Sequence, residues 1–234
     1  MRAEDLDWHR FADSHKLADA LASQIASDLN QALGERDSAS LAVSGGSTPL
    51  ALFNALSSID LDWSRVTVLP VDERWVDEDH AQSNARLIRQ QLLRERATAA
   101  RFISLKHPTS QPQAAQEACN VRLATLEQPL DVVVLGMGLD GHTASLFPDA
   151  PELADALAST RCCHALSPAS QPTLRMSLTP ALLNAARRRV LHIEGENKRQ
   201  VLDAVLADPQ VLRYPIAMAL TAEAAAPLQI YWAA

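Results

Sequence analysis

The sequence predicts an α/β fold in which a mainly parallel sheet is covered by helices on both faces, and three observations carry that reading. Short, continuously apolar runs alternate with segments of helical period along the chain. The clearest run, Val132 to Leu135, holds no polar residue, as expected of a strand buried on both faces. Several runs stop at a glycine or charged turn from which a helical segment sets out, the rhythm of strand-helix-strand units. With 234 residues and 47% hydrophobic composition, one sizeable core suffices, so residues 1–234 are expected to form one domain.

The elements follow in order. From Ser14 to Leu33, Leu17, Leu21, Ile25, Leu29 and Leu33 form one stripe of an amphipathic helix. Ser40 to Val43 is a buried strand that stops at Gly45-Gly46, and Leu50, Leu52, Phe53 and Leu56 mark the next helix. Val66 to Leu69 is a strand, Asn84 to Arg96 a helix, Gln113 to Leu126 a helix and Val132 to Leu135 a strand. Thr173 to Leu178 reads as a strand. Thr179-Pro180 supplies a cap and a first-turn proline for a helix running to Arg188. Arg189 to Ile193 is a strand and Asn197 to Ala207 a helix ended by Asp208-Pro209; Ile216 to Leu220 and Gln229 to Trp232 read as closing strands.

Charge and composition exclude several classes. A net charge of -7 argues against a general nucleic-acid binder, although local cations can still hold a small anion. The N-terminal MRAEDLDWHRF has no basic-then-apolar pattern, and no stretch is long and apolar enough to span a membrane. A cytoplasmic protein with no membrane and no nucleic-acid partner is expected. Cys119, Cys162 and Cys163 are too few for a disulfide framework, and the neighbours Cys162 and Cys163, in an apolar run, read as core thiols. No metal-ligand spacing appears among the seven histidines, and neither metal nor cofactor is expected.

In a parallel sheet, ligands bind beyond the carboxyl ends of the strands, so the segments after each strand carry the chemistry. Five of the seven glycines fall in two such turns. The first, Ser44-Gly45-Gly46-Ser47-Thr48-Pro49, joins glycines, hydroxyls and a helix N-terminus, the parts of a phosphate cradle. A plain strand-to-helix turn, with Thr48 as cap and Pro49 at the first helical position, accounts for fewer of its residues. The second is Gly136-Met137-Gly138-Leu139-Asp140-Gly141-His142. Its glycines match a dinucleotide fingerprint in spacing, but the acidic residue that should follow the next strand is missing. Asp140 beside His142 instead gives an oriented imidazole, a candidate general base; a loop histidine with a local hydrogen bond is the plainer alternative. Arg74 in Asp72-Glu73-Arg74-Trp75 suits bidentate contact with an anion, or belongs to a solvated loop. Lys198 stands in the first turn of a helix, against the dipole, which hints at an anion nearby although a surface lysine tolerates such a position. Arg175 interrupts an apolar strand, either as a partnered edge residue or as a ligand for substrate.

Together these segments resemble the 6-phosphogluconolactonase family, within the larger group that includes glucosamine-6-phosphate deaminase. The matching stretches are SGGSTP (44–49), DERWV and DHAQSN (72–76, 79–84), GMGLDGHTASLFP (136–148), RMSLTP (175–180) and GENK (195–198). The resemblance implies a three-layer α/β/α fold with a modified Rossmann-like sheet, and hydrolysis of 6-phospho-D-glucono-1,5-lactone to 6-phosphogluconate in the oxidative pentose phosphate pathway. It implies His142 as the base that activates water, placed with the help of Asp140. Substrate binding falls to Ser44, Gly45, Gly46, Ser47, Thr48, Arg74, Gly141 and Lys198, with Arg175 as a further motif position. Asp77 stands where the family often has proline. The related deaminases carry tyrosine at the position of Arg74 and glutamate at that of Phe147, and a phenylalanine cannot shuttle protons. A lactonase is therefore expected, with a deaminase-like enzyme or a non-catalytic sugar-phosphate sensor as the alternatives.

Overall fold

The computed structural model describes residues 6–220 and 224–234. Its strands are β1 (Asp7–Phe11), β2 (Ala39–Val43), β3 (Val66–Pro70), β4 (Asp72–Arg74), β5 (Arg101–Phe102), β6 (Val132–Leu135), β7 (Cys163–Leu166), β8 (Arg175–Leu178), β9 (Arg188–Glu194) and β10 (Leu228–Ala233). Its helices are α1 (Ser14–Glu35), α2 (Leu50–Ser57), α3 (Asn84–Gln91), α4 (Pro112–Leu123), α5 (Leu153–Ala158), α6 (Pro180–Asn184) and α7 (Glu196–Ala207). Seven strands form a parallel sheet in the order β1-β10-β9-β6-β2-β3-β5.

The apolar runs explain the layering. Successive side chains of a strand point to opposite faces. Leu41, Val43, Val66, Val68, Val132 and Val134 therefore pack with α1 and α2 on one side. Ala42, Leu69, Val133 and Leu135 pack with α4, α5 and α7 on the other. The predicted stripe of α1 is its buried face, and Asp13 caps it by accepting Lys16 N–H at 2.8 Å.

From β2 the chain runs outward through β3 and β5. From β6 it runs the other way, through β9 and β10. The adjacent pair β2 and β6 is thus the point where strand order reverses, where a crevice opens at the carboxyl ends. Both glycine turns leave from these two strands.

Several expectations are corrected. Ile216 to Leu220 is not a strand but a buried 3₁₀ turn, Pro215–Leu220. Its carbonyls are taken by side chains, Met218 O by Asn184 Nδ2 and Ala219 O by Arg189 Nη1, each at 2.9 Å, rather than by a strand ladder. The helix expected to Arg96 ends at Gln91, and Glu95, with a positive φ of 49°, opens a 3₁₀ turn. Thr179 holds the N-cap position of α6 with Pro180 first in the helix, as expected, but its hydroxyl donates to Arg161 O and makes no cap bond, and the helix stops at Asn184 rather than Arg188. Pro49, not Thr48, holds the cap position of α2, with no side-chain cap bond. Asp72–Arg74 is a strand, not a loop. It pairs with β8 and β7 in a small antiparallel sheet that the sequence did not announce. Cys163 is buried as expected, whereas Cys162 is half-buried.

Candidate active site

The two glycine turns and the small sheet enclose a cleft of about 320 Å³. Ser44 fixes its floor: its Oγ donates to Val134 O and accepts Gly136 N–H at 2.8 Å, tying the end of β2 to the end of β6.

The first turn is open on the cleft side. Among the described residues, no backbone N–H from Gly45 to Thr48 donates a hydrogen bond. These amides lie at the N-terminus of α2, where the helix dipole favours negative charge. Lys198, in the first turn of α7, reaches across to place its Nζ 3.3 Å from Thr48 Oγ1. Burial lowers its pKa, partly offset by the negative charge of Glu194. Asn84 crowds the turn from above. A Cβ on Gly45 would lie 1.9 Å from Asn84 Oδ1, so only glycine lets the two approach.

Asn84 is held by the strand beneath it. Its Nδ2 donates to Asp72 O at 2.8 Å and its backbone N–H to Glu73 Oε1 at 2.7 Å. Glu73 also accepts the N–H groups of Ala85 and Arg74, so this buried carboxylate sits on the N-terminus of α3. Burial nevertheless pushes it up to about 7, against the pull of those three N–H groups.

The second turn closes on itself. Gly138 N donates to His142 O at 2.9 Å and Gly141 N to Gly138 O at 3.1 Å. Asp140 Oδ1 accepts His142 N–H at 3.1 Å and lies 2.5 Å from His142 Nδ1. Burial works to raise the Asp140 carboxyl, but the His142 hydrogen bonds and charge outweigh it and hold it below the usual range. An ionised Asp140 can only accept, so Nδ1 carries a proton, and in the neutral imidazole Nε2 keeps its lone pair. The imidazole stacks on Phe147 at 4.1 Å.

The small sheet supplies a cationic wall. Arg74 and Arg175 stand directly opposite each other on β4 and β8. Like charges in that position destabilise a sheet unless an anion answers them. Arg74 Nη1 donates to Gln82 O at 2.7 Å. Arg175 is 4% exposed and donates to Thr173 and to Gln171 Oε1. Burial lowers its pKa, with Asp72 opposing.

Most of the expected site residues meet here. Ser44 to Thr48, Arg74, His142, Arg175 and Lys198 line the cleft. Asp140 and Gly141 do not line it: Asp140 contacts it through His142, and Gly141, expected among the substrate-binding residues, instead accepts Ile216 N–H on its carbonyl at 2.9 Å. Sequence reasoning missed Asp72, Asn84 and His192, which also line it. Asn84 lay within a matching stretch; His192, inside an apolar strand, gave no signal beyond its polarity. Among the described residues there is no group of three or more His, Cys, Asp or Glu side chains that could hold a metal ion.

A family model described as glucosamine-6-phosphate isomerases/6-phosphogluconolactonase matches residues 12–232. The chain is 46% identical over 217 residues to a 6-phosphogluconolactonase of Pseudomonas aeruginosa, covering 92% of this chain and 90% of that one. It is 45% identical over 227 residues to one of Rhizobium meliloti, covering 96% and 97%. A crystal structure of a 6-phosphogluconolactonase from Shewanella baltica superposes with a TM-score of 0.97 at 40% identity, over all of both chains. A monomeric glucosamine-6-phosphate deaminase, 15% identical, shares the fold with a TM-score of 0.81.

Proposed function

The chain belongs to the glucosamine-6-phosphate isomerase/6-phosphogluconolactonase family, and from that premise we propose that it hydrolyses 6-phospho-D-glucono-1,5-lactone to 6-phosphogluconate, a step of the oxidative pentose phosphate pathway. His142 serves as general base. The observation that carries this reading is the 2.5 Å contact of Asp140 with His142 Nδ1, which leaves Nε2 as a proton acceptor at a cleft lined by Arg74, Arg175 and Lys198.

Water gives a proton to Nε2 as its oxygen bonds to the lactone carbonyl carbon. Asp140 stabilises the imidazolium that forms, a form of general-base catalysis worth about 10²–10⁴ in rate. The tetrahedral oxyanion then collapses, the bond to the ring oxygen breaks, and that oxygen takes a proton from the imidazolium. Lys198, Thr48 and the amides of 45–48 bind the phosphate, with Arg74 and Arg175 adding positive charge along the wall. A lactone is an activated ester, so this route needs no metal and no cofactor.

Phe147 supports hydrolysis over isomerisation, because it fills the space between His142 and Arg175 with a ring that transfers no proton. The substrate class gives a small-molecule partner only, and no described helix is long and apolar enough to cross a membrane; a cytoplasmic location fits that chemistry. The test is a coupled assay in which fresh lactone is supplied to the protein and 6-phosphogluconate is read out by its dehydrogenase. A rate no higher than spontaneous hydrolysis sinks the proposal.

A further inference from the structure

We propose that His192 is a specificity-determining residue of the cleft, its Nδ1 accepting a hydrogen bond from a hydroxyl of the bound sugar phosphate. The inference rests on the sugar-phosphate reading of the cleft and adds a role for a residue outside the Asp140–His142 pair. His192 lies in β9, lines the cleft with Lys198, and is 2% exposed. Its Nε2 is 3.1 Å from Glu194 Oε1, while Ser14 Oγ donates to Glu194 Oε2 at 2.9 Å. These bonds, that of His192 first, hold the Glu194 carboxyl below its ordinary range against the opposing effect of burial. An ionised carboxylate has no proton to give, so Nε2 is the donor and, in the neutral imidazole, Nδ1 is left as a bare acceptor.

That acceptor is buried and has no partner. A buried polar atom without a partner is costly, so such atoms in a ligand cleft mark contacts that a ligand completes. Two others occur on the same walls, Arg175 Nε and Asn84 Oδ1. Their chemistry is mixed. The dianionic phosphate of a sugar ester offers acceptors and answers only the arginine donor. The two acceptors, Asn84 Oδ1 and His192 Nδ1, require O–H donors. A polyhydroxy chain ending in a phosphate brings several carbon-borne hydroxyls beside its anionic oxygens, whereas inorganic phosphate has only one or two P–OH groups, all on one small ion. The orphan atoms therefore ask for the sugar as well as for its charge.

The experiment is calorimetric titration of the full chain with 6-phosphogluconate and, separately, with inorganic phosphate, beside lactone kinetics. His192→Leu is expected to weaken 6-phosphogluconate about three- to tenfold, the loss of one neutral hydrogen bond. Phosphate affinity should stay within about twofold, and KM should rise with kcat nearly kept. His192→Asn, whose Oδ1 falls close to the place of Nδ1, should recover most of the affinity. Glu194→Gln, whose amide can donate to Nε2 and turn Nδ1 into a donor, should weaken the sugar phosphate selectively and covers the case in which His192→Leu fails to fold. Unchanged 6-phosphogluconate binding in His192→Leu, or in Glu194→Gln, overturns the inference. Equal losses for both ligands also overturn it, since His192 would then serve the phosphate or the fold. If the wild-type protein does not bind 6-phosphogluconate at all, the sugar-phosphate reading of the cleft fails and takes this inference with it.

Discussion

The two glycine turns leave neighbouring strands and face one cleft, yet they are built in opposite ways. The turn after β2 keeps the N–H groups of 45–48 free at the mouth of a helix and draws Lys198 to it from α7. The turn after β6 uses its own N–H groups to close on itself, Gly138 on His142 and Gly141 on Gly138, and so fixes one side chain against Asp140. Glycine serves both, once to leave amides open to a ligand and once to fold a tight frame around an imidazole. On the proposed reading the first turn governs affinity and the second governs turnover. That separation can be tested from both sides.

The sharpest break is His142→Asn. We expect kcat to fall by at least about two orders of magnitude while 6-phosphogluconate binds almost as before, because a general base acts in the transition state. Activity within about tenfold of wild type, after subtracting spontaneous hydrolysis, removes His142 from that role.

The next effect is on stability and concerns Glu73, the carboxyl beneath Asn84 and the first turn. Its folded pKa is raised from 4.5 to about 7. The proton held by the folded state therefore adds stability that is complete below pH 4.5 and lost as pH rises to about 7, roughly 3 kcal/mol in all. Denaturant unfolding at pH 5, 6, 7 and 8 should show that slope in the wild type and a flatter one in Glu73→Gln. Parallel curves for the two proteins would mean that Glu73 titrates normally.

Lys198→Met and Arg74→Met belong to the affinity side. Each should weaken 6-phosphogluconate by about 1.5–3 kcal/mol, roughly ten- to a hundredfold, as charge-assisted contacts are lost. If calorimetry finds both variants at wild-type affinity, the phosphate lies elsewhere.

Two glycine substitutions then separate the turns directly. A Cβ on Gly138 would lie 2.2 Å from the His142 ring and 2.6 Å from Asp140 Oδ1. Gly138→Ala should therefore cost about tenfold in kcat by misplacing the base. Gly45→Ala pushes on Asn84 instead and should weaken product binding by about the same factor. The reverse pattern, with affinity lost at Gly138 and turnover lost at Gly45, would undo the division. The smallest effect is none: dialysis against EDTA should leave activity unchanged, and a loss restored by zinc would make His142 a ligand rather than a base.

How legible each part was follows from how local its cause is. The parallel strands were readable because burial on both faces leaves an unbroken apolar run, as in Val132–Leu135, matched to the residue. The small sheet was not, because Asp72–Arg74 is charged throughout and pairs only with residues about a hundred positions later. Ile216 to Leu220 has the composition of a strand and becomes a 3₁₀ turn, since its carbonyls find Asn184 and Arg189 rather than a neighbouring backbone.

By itself the sequence determined that the chain alternates strands and helices, that its glycines gather in two post-strand turns, and that an acidic residue stands two before a histidine. All three are short-range facts, fixed by burial period and by the few conformations a tight turn allows. Only the tertiary structure decided that Lys198 meets Thr48 across 150 positions, that Arg74 faces Arg175, and that His192 points its one unpaired nitrogen at no protein group. The physical reason is that these contacts depend on strand order. Placing β6 beside β2 and β9 beside β6 brings their far-apart carboxyl ends to one crevice, and no local pattern in the chain encodes that neighbourhood.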